Sequence, residues 1–485
     1  MDLREIAADI DAQVVEAEGW GMAMKARCAL VEPSSREEIR EVLAFARQHR
    51  LSVGFRGSGC SYGDASLNAE GLLVDLSKYN KILSLDAETG ILVAESGVTL
   101  EDIWRQSIRL GYWPPVVSGT MYPTLGGLLS MNVHGKNNWR SGTIAEHVQS
   151  FRLLTIEGEE LVCSREQNSE LFFAAISGFG MLGCFLDITL QLKKVHSGYL
   201  DVEAIATPTI ADMICWLDEN KEDYDYLVGW IDCFPRKEKH LGRGLIHAAN
   251  YLKEGEDPNP IEGLTPVKQD LPERLFGVIP KSWMWRFLKP FLNDLGMRTI
   301  NAAKYHLGAI QQTRGRPHRQ AHAAFAFLLD YVPDWKLGYR PGGLIQYQSF
   351  MPKETAHEVH PELIRIAHRH DIVPYLGVYK RHRPDSFLMT HAVDGFSFAM
   401  DIRVTKDNRE RVWKMTREMD ELVVNGGGRL YFAKDACTTS ETVRKVWKDG
   451  QIEELHALKQ RFDPQSLLQT DLARRLFPDW FRAAE

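Results

Sequence analysis

A glycine-rich segment near the N-terminus has the composition of a phosphate-binding loop. It runs Arg56-Gly57-Ser58-Gly59-Cys60-Ser61-Tyr62-Gly63-Asp64. Glycine lets successive backbone N–H groups turn toward an anion, so this segment indicates a bound nucleotide. A Rossmann loop would need a strand before the glycines and a helix after them. Leu51–Phe55 is predicted to be a strand, but Ala65–Gly71 has no helical pattern, so we expect a different nucleotide-binding fold.

Two further glycine clusters follow in the same region. Ser118–Gly127 leads into Asn132-Val133-His134-Gly135-Lys136, and two such loops indicate a flat or anionic ligand more strongly than one. Gly178–Gly183 matches GxGxxG by letters, but a helix-like segment precedes it and a strand-like segment follows. It is therefore not a Rossmann loop, and a plain helix-to-strand turn and a ligand contact both remain open.

Pairs of polar side chains two residues apart share one side of an extended segment. His134 and Lys136 suit a proton acceptor and a substrate contact, although a lone histidine is often structural. Gln346 and Gln348 lie in the predicted strand Gly343–Met351, and two amides on one face suit the recognition of hydroxyl groups. A solvated strand face is the alternative for these two amides.

The composition excludes several classes of protein. The 485 residues are too many for one ordinary domain, and the net charge of −7 argues against a nucleic-acid partner. The seven cysteines are scattered, without CxxC pairs, which favours reduced thiols in a cytoplasmic protein. We expect no metal site, because no cysteine or carboxylate completes a ligand set with four histidines that are predicted on the surface, His357, His360, His368 and His370.

One segment is the nearest candidate for contact with a membrane. The N-terminus has no signal-peptide pattern, and no uncharged stretch is long enough to cross a bilayer. Leu275–Leu295 is rich in aromatic residues but is interrupted by prolines and by Lys281, Arg286 and Lys289. It is interpreted as a helical segment that covers the core, or as a lid, and contact with the surface of the inner membrane is the alternative.

Helices and strands are mixed along the chain without strict alternation, which predicts an α+β fold. Short strands are predicted at Leu72–Leu76, Lys81–Leu85 and Ile91–Glu95, and Thr99 begins an amphipathic helix. This pattern continues to about Lys194, after which the composition changes.

These features together resemble the p-cresol methylhydroxylase/vanillyl-alcohol oxidase superfamily. The resemblance is weakest from about Leu200 to Arg340 and narrows to a branch that oxidises a sugar hydroxyl on a lipid phosphate with FAD. It is carried by Arg56–Asp64, Gly119–Gly127, His134–Asn137, Gln346–Gln348, Gly428–Asp435 and Asp471–Leu476. It implies a two-subdomain FAD-binding domain over residues 1–196, an α+β substrate-binding domain with an antiparallel sheet over 197–427, and a segment returning to the FAD domain over 428–485.

The resemblance also implies roles for individual residues. Lys434 is the expected proton acceptor, with His134 and Lys136 as further catalytic residues; a surface lysine paired with Asp435 is the alternative. Substrate contacts are implied for Tyr339, Gln346, Gln348 and Lys380. Cofactor contacts are implied for Arg56, Gly57, Ser58, Gly59, Cys60, Ser61, Tyr62, Gly119, Thr124, Leu125, Gly126, Gly127, Asn132, His134, Gly183, Cys184 and Tyr431.

The implied reaction is oxidation of a secondary hydroxyl of a sugar or a polyprenyl-phosphate-linked sugar. A hydride would pass to FAD and a proton to Lys434 or a neighbour. Members of the superfamily often bond the flavin through a first-loop histidine, and some add a second-loop cysteine. Cys60 and Tyr122 stand at these places, which implies non-covalent FAD. The resemblance further implies a partner reductase that completes an epimerisation.

Two other functions remain open. One is an aldonolactone or alditol oxidase of the same superfamily that uses oxygen directly. The other is a catalytically silent flavin-binding scaffold at a membrane. Three departures from the resembled branch leave the identity of the sugar open: Ala399 replaces a cysteine, Ser397 an asparagine and His382 an aromatic residue.

Overall fold

Runs of apolar and β-branched residues account for the strands. The structure, a computed structural model, describes residues 2–275, 279–313 and 317–481. Its strands are β1 (Gln13–Glu18), β2 (Lys25–Val31), β3 (Val53–Arg56), β4 (Leu72–Asp75), β5 (Ile82–Leu85), β6 (Ile91–Glu95), β7 (Tyr112–Trp113), β8 (Val148–Leu154), β9 (Glu160–Ser164), β10 (Cys184–Gln191), β11 (Lys193–Lys194), β12 (Tyr199–Thr207), β13 (Tyr226–Ile231), β14 (Gly244–Tyr251), β15 (Arg274–Leu275), β16 (Ile279–Pro280), β17 (His318–Ala321), β18 (Gly343–Pro352), β19 (Leu376–His382), β20 (Gly395–Val404) and β21 (Arg429–Leu430).

Several helices begin where a side-chain oxygen accepts a backbone N–H group of the first turn, as at Ser35, Thr99 and Thr209. The α-helices are α1 (Leu3–Asp9), α2 (Arg36–His49), α3 (Leu100–Ser107), α4 (Leu125–Ser130), α5 (Asn138–Ser141), α6 (Ser169–Ala175), α7 (Ile210–Asn220), α8 (Pro260–Gly263), α9 (Pro266–Gln269), α10 (Met284–Leu288), α11 (Asp294–Thr313), α12 (His322–Ala326), α13 (Lys353–Arg369), α14 (Arg409–Asn425), α15 (Ser440–Val446), α16 (Gln451–Phe462) and α17 (Asp471–Leu476).

The N-terminal part contains two sheets. The first has the order β1-β2-β4-β3, in which β4 is parallel to both β2 and β3. The second has the order β5-β6-β10-β8-β9 and is antiparallel throughout. The chain passes from β3 to β4 without a helix, as the sequence predicts, which leaves the first glycine loop at the end of β3.

An eight-stranded antiparallel sheet forms the middle of the chain, in the order β17-β12-β14-β13-β19-β20-β18-β21. Helices α7, α13 and α14 contribute apolar residues to the core on one face of this sheet. Because side chains alternate along a strand, Tyr347 joins that core while Gln346 and Gln348 point to the other face. The α+β fold with an antiparallel sheet is confirmed.

The C-terminal segment contacts the N-terminal part. Leu468 forms a parallel bridge with Val53 of β3, and the Tyr62 N–H donates to the Ala433 carbonyl at 3.0 Å. These contacts bring the residues around Lys434 to the first glycine loop. The domain boundaries after residues 196 and 427 stay predictions.

One of the four histidines that the sequence predicts on the surface lies in the core, and part of the segment Leu275–Leu295 is exposed. His360 is buried rather than exposed, and its Nδ1 lies 2.6 Å from the Tyr379 hydroxyl. Residues 276–278 of the segment Leu275–Leu295 lie outside the described residues, whereas Trp283 and Phe287 are exposed. Among the described residues, no helix is both long enough and apolar enough to cross a membrane.

Candidate active site

The three glycine-rich segments meet at one cavity of about 390 Å³. One wall comes from the loops at residues 56–61, 118–127 and 179–185 of the N-terminal part. The opposite wall comes from β13, β18, β19 and β20 of the eight-stranded sheet, and residues 431–434 also line the cavity. A cavity of this size between two parts of a chain is the usual setting for a small-molecule site.

The first loop offers main-chain donors to this cavity. The backbone N–H groups of Ser58, Gly59, Cys60 and Ser61 have no hydrogen-bond acceptor in the described part of the chain. Gly59 has a φ of +64°, and a Cβ there would lie 2.2 Å from Nη2 of Arg56, so only glycine fits. A turn with successive free N–H groups forms a concavity that binds phosphate oxygens.

The second loop packs tightly against the first. Thr124 accepts a hydrogen bond from the Gly127 N–H and begins α4. A Cβ on Gly57 would lie 2.1 Å from Oγ1 of Thr124, so this glycine allows the two loops to touch. Gly119, Thr124, Gly126 and Gly127 line the cavity. Leu125 does not, because its N–H donates to the Val98 carbonyl and its side chain lies in the core.

The third cluster is both a turn and part of the cavity wall. It connects α6 to β10, as a helix-to-strand turn should, and Phe179 and Gly180 adopt positive φ values of 58° and 76°. Phe179, Gly180, Gly183 and Cys184 line the cavity. The two interpretations that the sequence left open are therefore compatible.

Three other predicted contact residues lie behind the cavity wall. Asn132 is fully buried and donates from Nδ2 to Asp385 at 3.0 Å. Tyr339 packs in an aromatic cluster with Trp335 and Tyr375. Tyr62 lies beneath the side chain of Lys434. None of the three lines the cavity, and their contacts with cofactor or substrate stay predictions.

Lys434 lines the cavity and is not the surface lysine, paired with Asp435, that the sequence left as an alternative. Its Nζ lies 3.8 Å from the centroid of the Tyr62 ring. The next residue, Asp435, turns away and pairs with Arg475 at 2.9 Å. Burial lowers the pKa of Lys434 to about 8, partly opposed by the nearby carboxyl of Asp401. An amine with such a pKa can exchange a proton near neutral pH.

His134 is held between two side chains from the large sheet. The Gln348 amide donates from Nε2 to His134 Nε2 at 3.0 Å, and Lys380 Nζ lies 3.5 Å from His134 Nδ1. Burial lowers the pKa of His134 well below its usual value, so the ring is neutral. Burial and the charge of Lys434 lower the pKa of Lys380 to about 7. With Nε2 accepting, the ring proton is assigned to Nδ1 on the Lys380 side.

Lys136 lines the cavity but its amine is already bonded. Nζ donates to the carbonyls of Phe325 and Ala326, both at 2.5 Å, and lies 5.0 Å from the Phe325 ring centroid. It thus ties the second loop region to the last residues of α12. The geometry favours a structural role for Lys136 rather than the catalytic role predicted from the resemblance.

The remaining predicted residues are brought together at this cavity. Arg56 lines it, and its guanidinium is held by the carbonyls of Glu18 and Ser66. Among the described residues, the predicted site members that line the cavity are Arg56, Gly57, Ser58, Gly59, Cys60, Ser61, Gly119, Thr124, Gly126, Gly127, His134, Lys136, Gly183, Cys184, Gln346, Gln348, Lys380, Tyr431 and Lys434.

Sequence reasoning missed Asp401. Its Oδ1 accepts from the Gln346 amide at 2.5 Å, while the buried Oδ2 has no partner in the described part of the chain. Burial raises its pKa to about 6. The alternation of β20 carries the signal: Ser397 and Ala399 line the cavity, and Asp401 is the next residue of that face. Trp230, His247 and Lys304 were also missed.

Known proteins are similar to this chain over most of its length. Residues 28–164 match a protein family described as FAD binding domain. Decaprenylphosphoryl-beta-D-ribose oxidase of Mycolicibacterium smegmatis is 28% identical over 464 residues, covering 94% of this chain and 96% of that protein. L-gulonolactone oxidase of Scyliorhinus torazame is 31% identical over 464 residues, covering 92% of this chain and 94% of that protein. L-gulonolactone oxidase of Bos taurus is 34% identical over 160 residues, covering 33% of this chain and 36% of that protein.

The cavity fits the cofactor that these similarities imply. Unused main-chain donors in the first loop suit the diphosphate of FAD, and the second and third loops border the same space. The residues that would hold FAD are those of the three loops, with Tyr431 from the C-terminal segment. The protein is thus an FAD-dependent oxidoreductase that acts on CH–OH groups. Similarity to sugar and lactone oxidases along nearly the whole chain shows that it belongs to the p-cresol methylhydroxylase/vanillyl-alcohol oxidase superfamily of FAD-linked oxidases.

Proposed function

We propose that this enzyme oxidises a secondary hydroxyl group of a sugar, carried on a phosphate-linked lipid, to a ketone. The observation that carries the proposal is Lys434, an amine with a lowered pKa that shares a cavity with the glycine loops. The amides of Gln346 and Gln348 line the same cavity and suit recognition of sugar hydroxyls. The name of the Mycolicibacterium smegmatis relative supports a ribose derivative as substrate.

Each side chain at the cavity is assigned a separate role in this reaction. Bound FAD supplies the two-electron acceptor. Neutral Lys434 takes the hydroxyl proton as the C–H bond breaks, and the adjacent Asp401 carboxylate stabilises the ammonium that forms. Gln348 orients neutral His134, which keeps a second hydrogen-bonding group at the cavity wall. Gln346, fixed by Asp401, orients the sugar.

Incubating the holoenzyme with sugars and identifying the products by mass spectrometry tests this assignment. A ketone two mass units below a ribose-type sugar supports it. Failure to convert any sugar or lipid-linked sugar would refute it.

The rate of the oxidation should depend on pH through Lys434. Because the neutral amine is the active form, the rate of flavin reduction should rise about tenfold per pH unit below a pKa near 8 and level off above it. Asp401 raises the pKa of Lys434, so Asp401→Asn should move this profile to lower pH. Stopped-flow reduction between pH 6 and 10 measures both profiles, and a flat wild-type profile would contradict the proton-acceptor role.

FAD is proposed to be bound without a covalent link. Burial raises the pKa of Cys60, which keeps its thiol protonated and poorly nucleophilic, and Tyr122 does not line the cavity. Mass spectrometry of the denatured protein should therefore give the mass of the bare polypeptide, with all flavin in the supernatant. A polypeptide heavier by the mass of FAD would show that a bond exists.

An aldonolactone oxidase is the second candidate, favoured by the full-length similarity to an L-gulonolactone oxidase. The two candidates differ in substrate and in reaction with oxygen. Turnover of L-gulono-1,4-lactone with rapid oxygen consumption favours the lactone oxidase, and slow reoxidation after reduction by a sugar favours a dehydrogenase. A reductase partner and a cytoplasmic location with peripheral contact to the inner membrane are parts of the first proposal; the exposed Trp283 and Phe287 support the membrane contact.

A further inference from the structure

Basic side chains are concentrated in the cavity wall. Its ionisable side chains in the described part of the chain include five basic residues and two histidines, and no Asp or Glu contributes to the wall. They are Arg56, His134, Lys136, His247, Lys304, Lys380 and Lys434. The nearest acids lie behind the wall: Asp330 accepts from Thr120, and Asp401, which is close to Lys434, accepts from Gln346. Enclosing like charges together is costly unless an anion joins them.

Most of these cations already have partners. Arg56 is held by the carbonyls of Glu18 and Ser66, and Lys136 donates to two carbonyls. Lys434 lies over the Tyr62 ring, and Lys380 lies beside His134. These positions account for the cations close to the glycine loops.

Lys304 lies on a different element from these cations, and its amine, like that of Lys434, contacts an aromatic ring. It projects from α11, has no hydrogen bond or ion pair in the described part of the chain, and is open to solvent within the cavity. Its Nζ lies 4.5 Å from the centroid of the buried Trp230 ring, which holds the amine at one place. His247, on β14 next to β13, lines the same part of the wall. The fixed amine has donors to spare for a ligand.

We propose that Lys304, positioned by Trp230 and assisted by His247, forms a subsite for an anionic group of the substrate, a phosphate or a carboxylate attached to the sugar. The subsite lies on the wall formed by the large sheet and α11, not among the glycine loops that suit the FAD diphosphate. It rests on the proposed function, because it names the class of sugar that this cavity accepts. A sugar derivative with an anion at Lys304 would be oriented at two points, by this amine and by the amides of Gln346 and Gln348.

Binding measurements on the FAD-loaded enzyme test the subsite independently of turnover. The probes are D-ribose 5-phosphate, D-ribonate and neutral methyl β-D-ribofuranoside, each titrated calorimetrically into wild type, Lys304→Met, Lys304→Arg and the control Lys239→Met. Lys239 is exposed and does not line the cavity, so its replacement removes one positive charge from the surface without touching the site. Thermal unfolding confirms that each variant is folded.

An anionic probe should bind about tenfold more tightly than the neutral riboside to wild type and to Lys239→Met. Lys304→Met should lose that difference and Lys304→Arg should keep most of it. Tighter binding than the riboside by ribose 5-phosphate alone identifies phosphate as the anionic group. Tighter binding by ribonate alone identifies carboxylate. Equal binding of anionic and neutral probes, or an undiminished preference in Lys304→Met, would overturn the subsite. Lys304-dependent binding without oxidation of any sugar would instead refute the proposed function.

Discussion

Replacing Lys434 by methionine will lower the rate of substrate-driven flavin reduction by about 10²- to 10⁴-fold, the usual contribution of a positioned proton acceptor. Methionine keeps most of the side-chain volume and removes the only group that we assign to the hydroxyl proton. FAD should stay bound, because the main-chain donors of residues 58–61 are unchanged. The measurement is anaerobic stopped-flow reduction at saturating substrate, with flavin content determined from the visible spectrum.

A matched control separates proton transfer from general loss of charge. Lys448 is exposed just after α15 and does not line the active-site cavity, so Lys448→Met should reduce flavin at the wild-type rate. If Lys434→Met kept more than about a tenth of the wild-type rate, another group would have to accept the proton. Neutral His134 would then be the next candidate.

Arg475→Met should lower the free energy of unfolding by about 3–5 kcal/mol. Arg475 donates from Nε and Nη2 to both carboxylate oxygens of Asp64, at 2.8 and 2.7 Å, and from Nη1 to Asp435 at 2.9 Å. The two carboxylates are only 2% and 9% exposed, so removal of their shared partner leaves two buried charges uncompensated. The change also loosens the first loop from the segment that carries Lys434. Urea unfolding followed by tryptophan fluorescence gives the difference.

The burial of the Arg475 ion pairs, and not the charge alone, should determine how much the free energy of unfolding falls. Arg461 pairs with Glu170 on the surface, where both side chains are more than half exposed. Arg461→Met should therefore cost less than about 1 kcal/mol. Similar unfolding midpoints for Arg475→Met and Arg461→Met would show that the buried network contributes little to stability.

Local sequence patterns were sufficient to predict the setting of the first glycine loop and the common face of Gln346 and Gln348. The absence of a helical pattern after Gly63 excluded a Rossmann fold, and the chain indeed runs from β3 to β4 without a helix. The alternation of β18 correctly placed Gln346 and Gln348 on one face. Both features depend on neighbours in sequence, which is why they could be predicted.

Features that depend on distant contacts could not be predicted in this way. Leu125 belongs to the second glycine-rich loop, yet its N–H donates to the Val98 carbonyl and its side chain packs in the hydrophobic core. Lys136 was expected to act on substrate, but its amine is bonded to carbonyls almost two hundred residues away in sequence, at Phe325 and Ala326. Lys304 lies in the region of weakest resemblance, and only the packing of α11 beside the sheet brings it to the cavity.

Anaerobic titration of the FAD-loaded enzyme with sugars and sugar phosphates, followed by visible absorbance, shows whether a sugar reduces the flavin and whether Lys434 is needed for this step. We expect the flavin absorbance to bleach with one equivalent of a sugar that has a reactive secondary hydroxyl, with formation of one equivalent of ketone. Lys434→Met, with its full complement of FAD, should remain coloured over the same time. Persistence of colour in the wild-type enzyme with every sugar, or equally fast bleaching in Lys434→Met, would contradict the account.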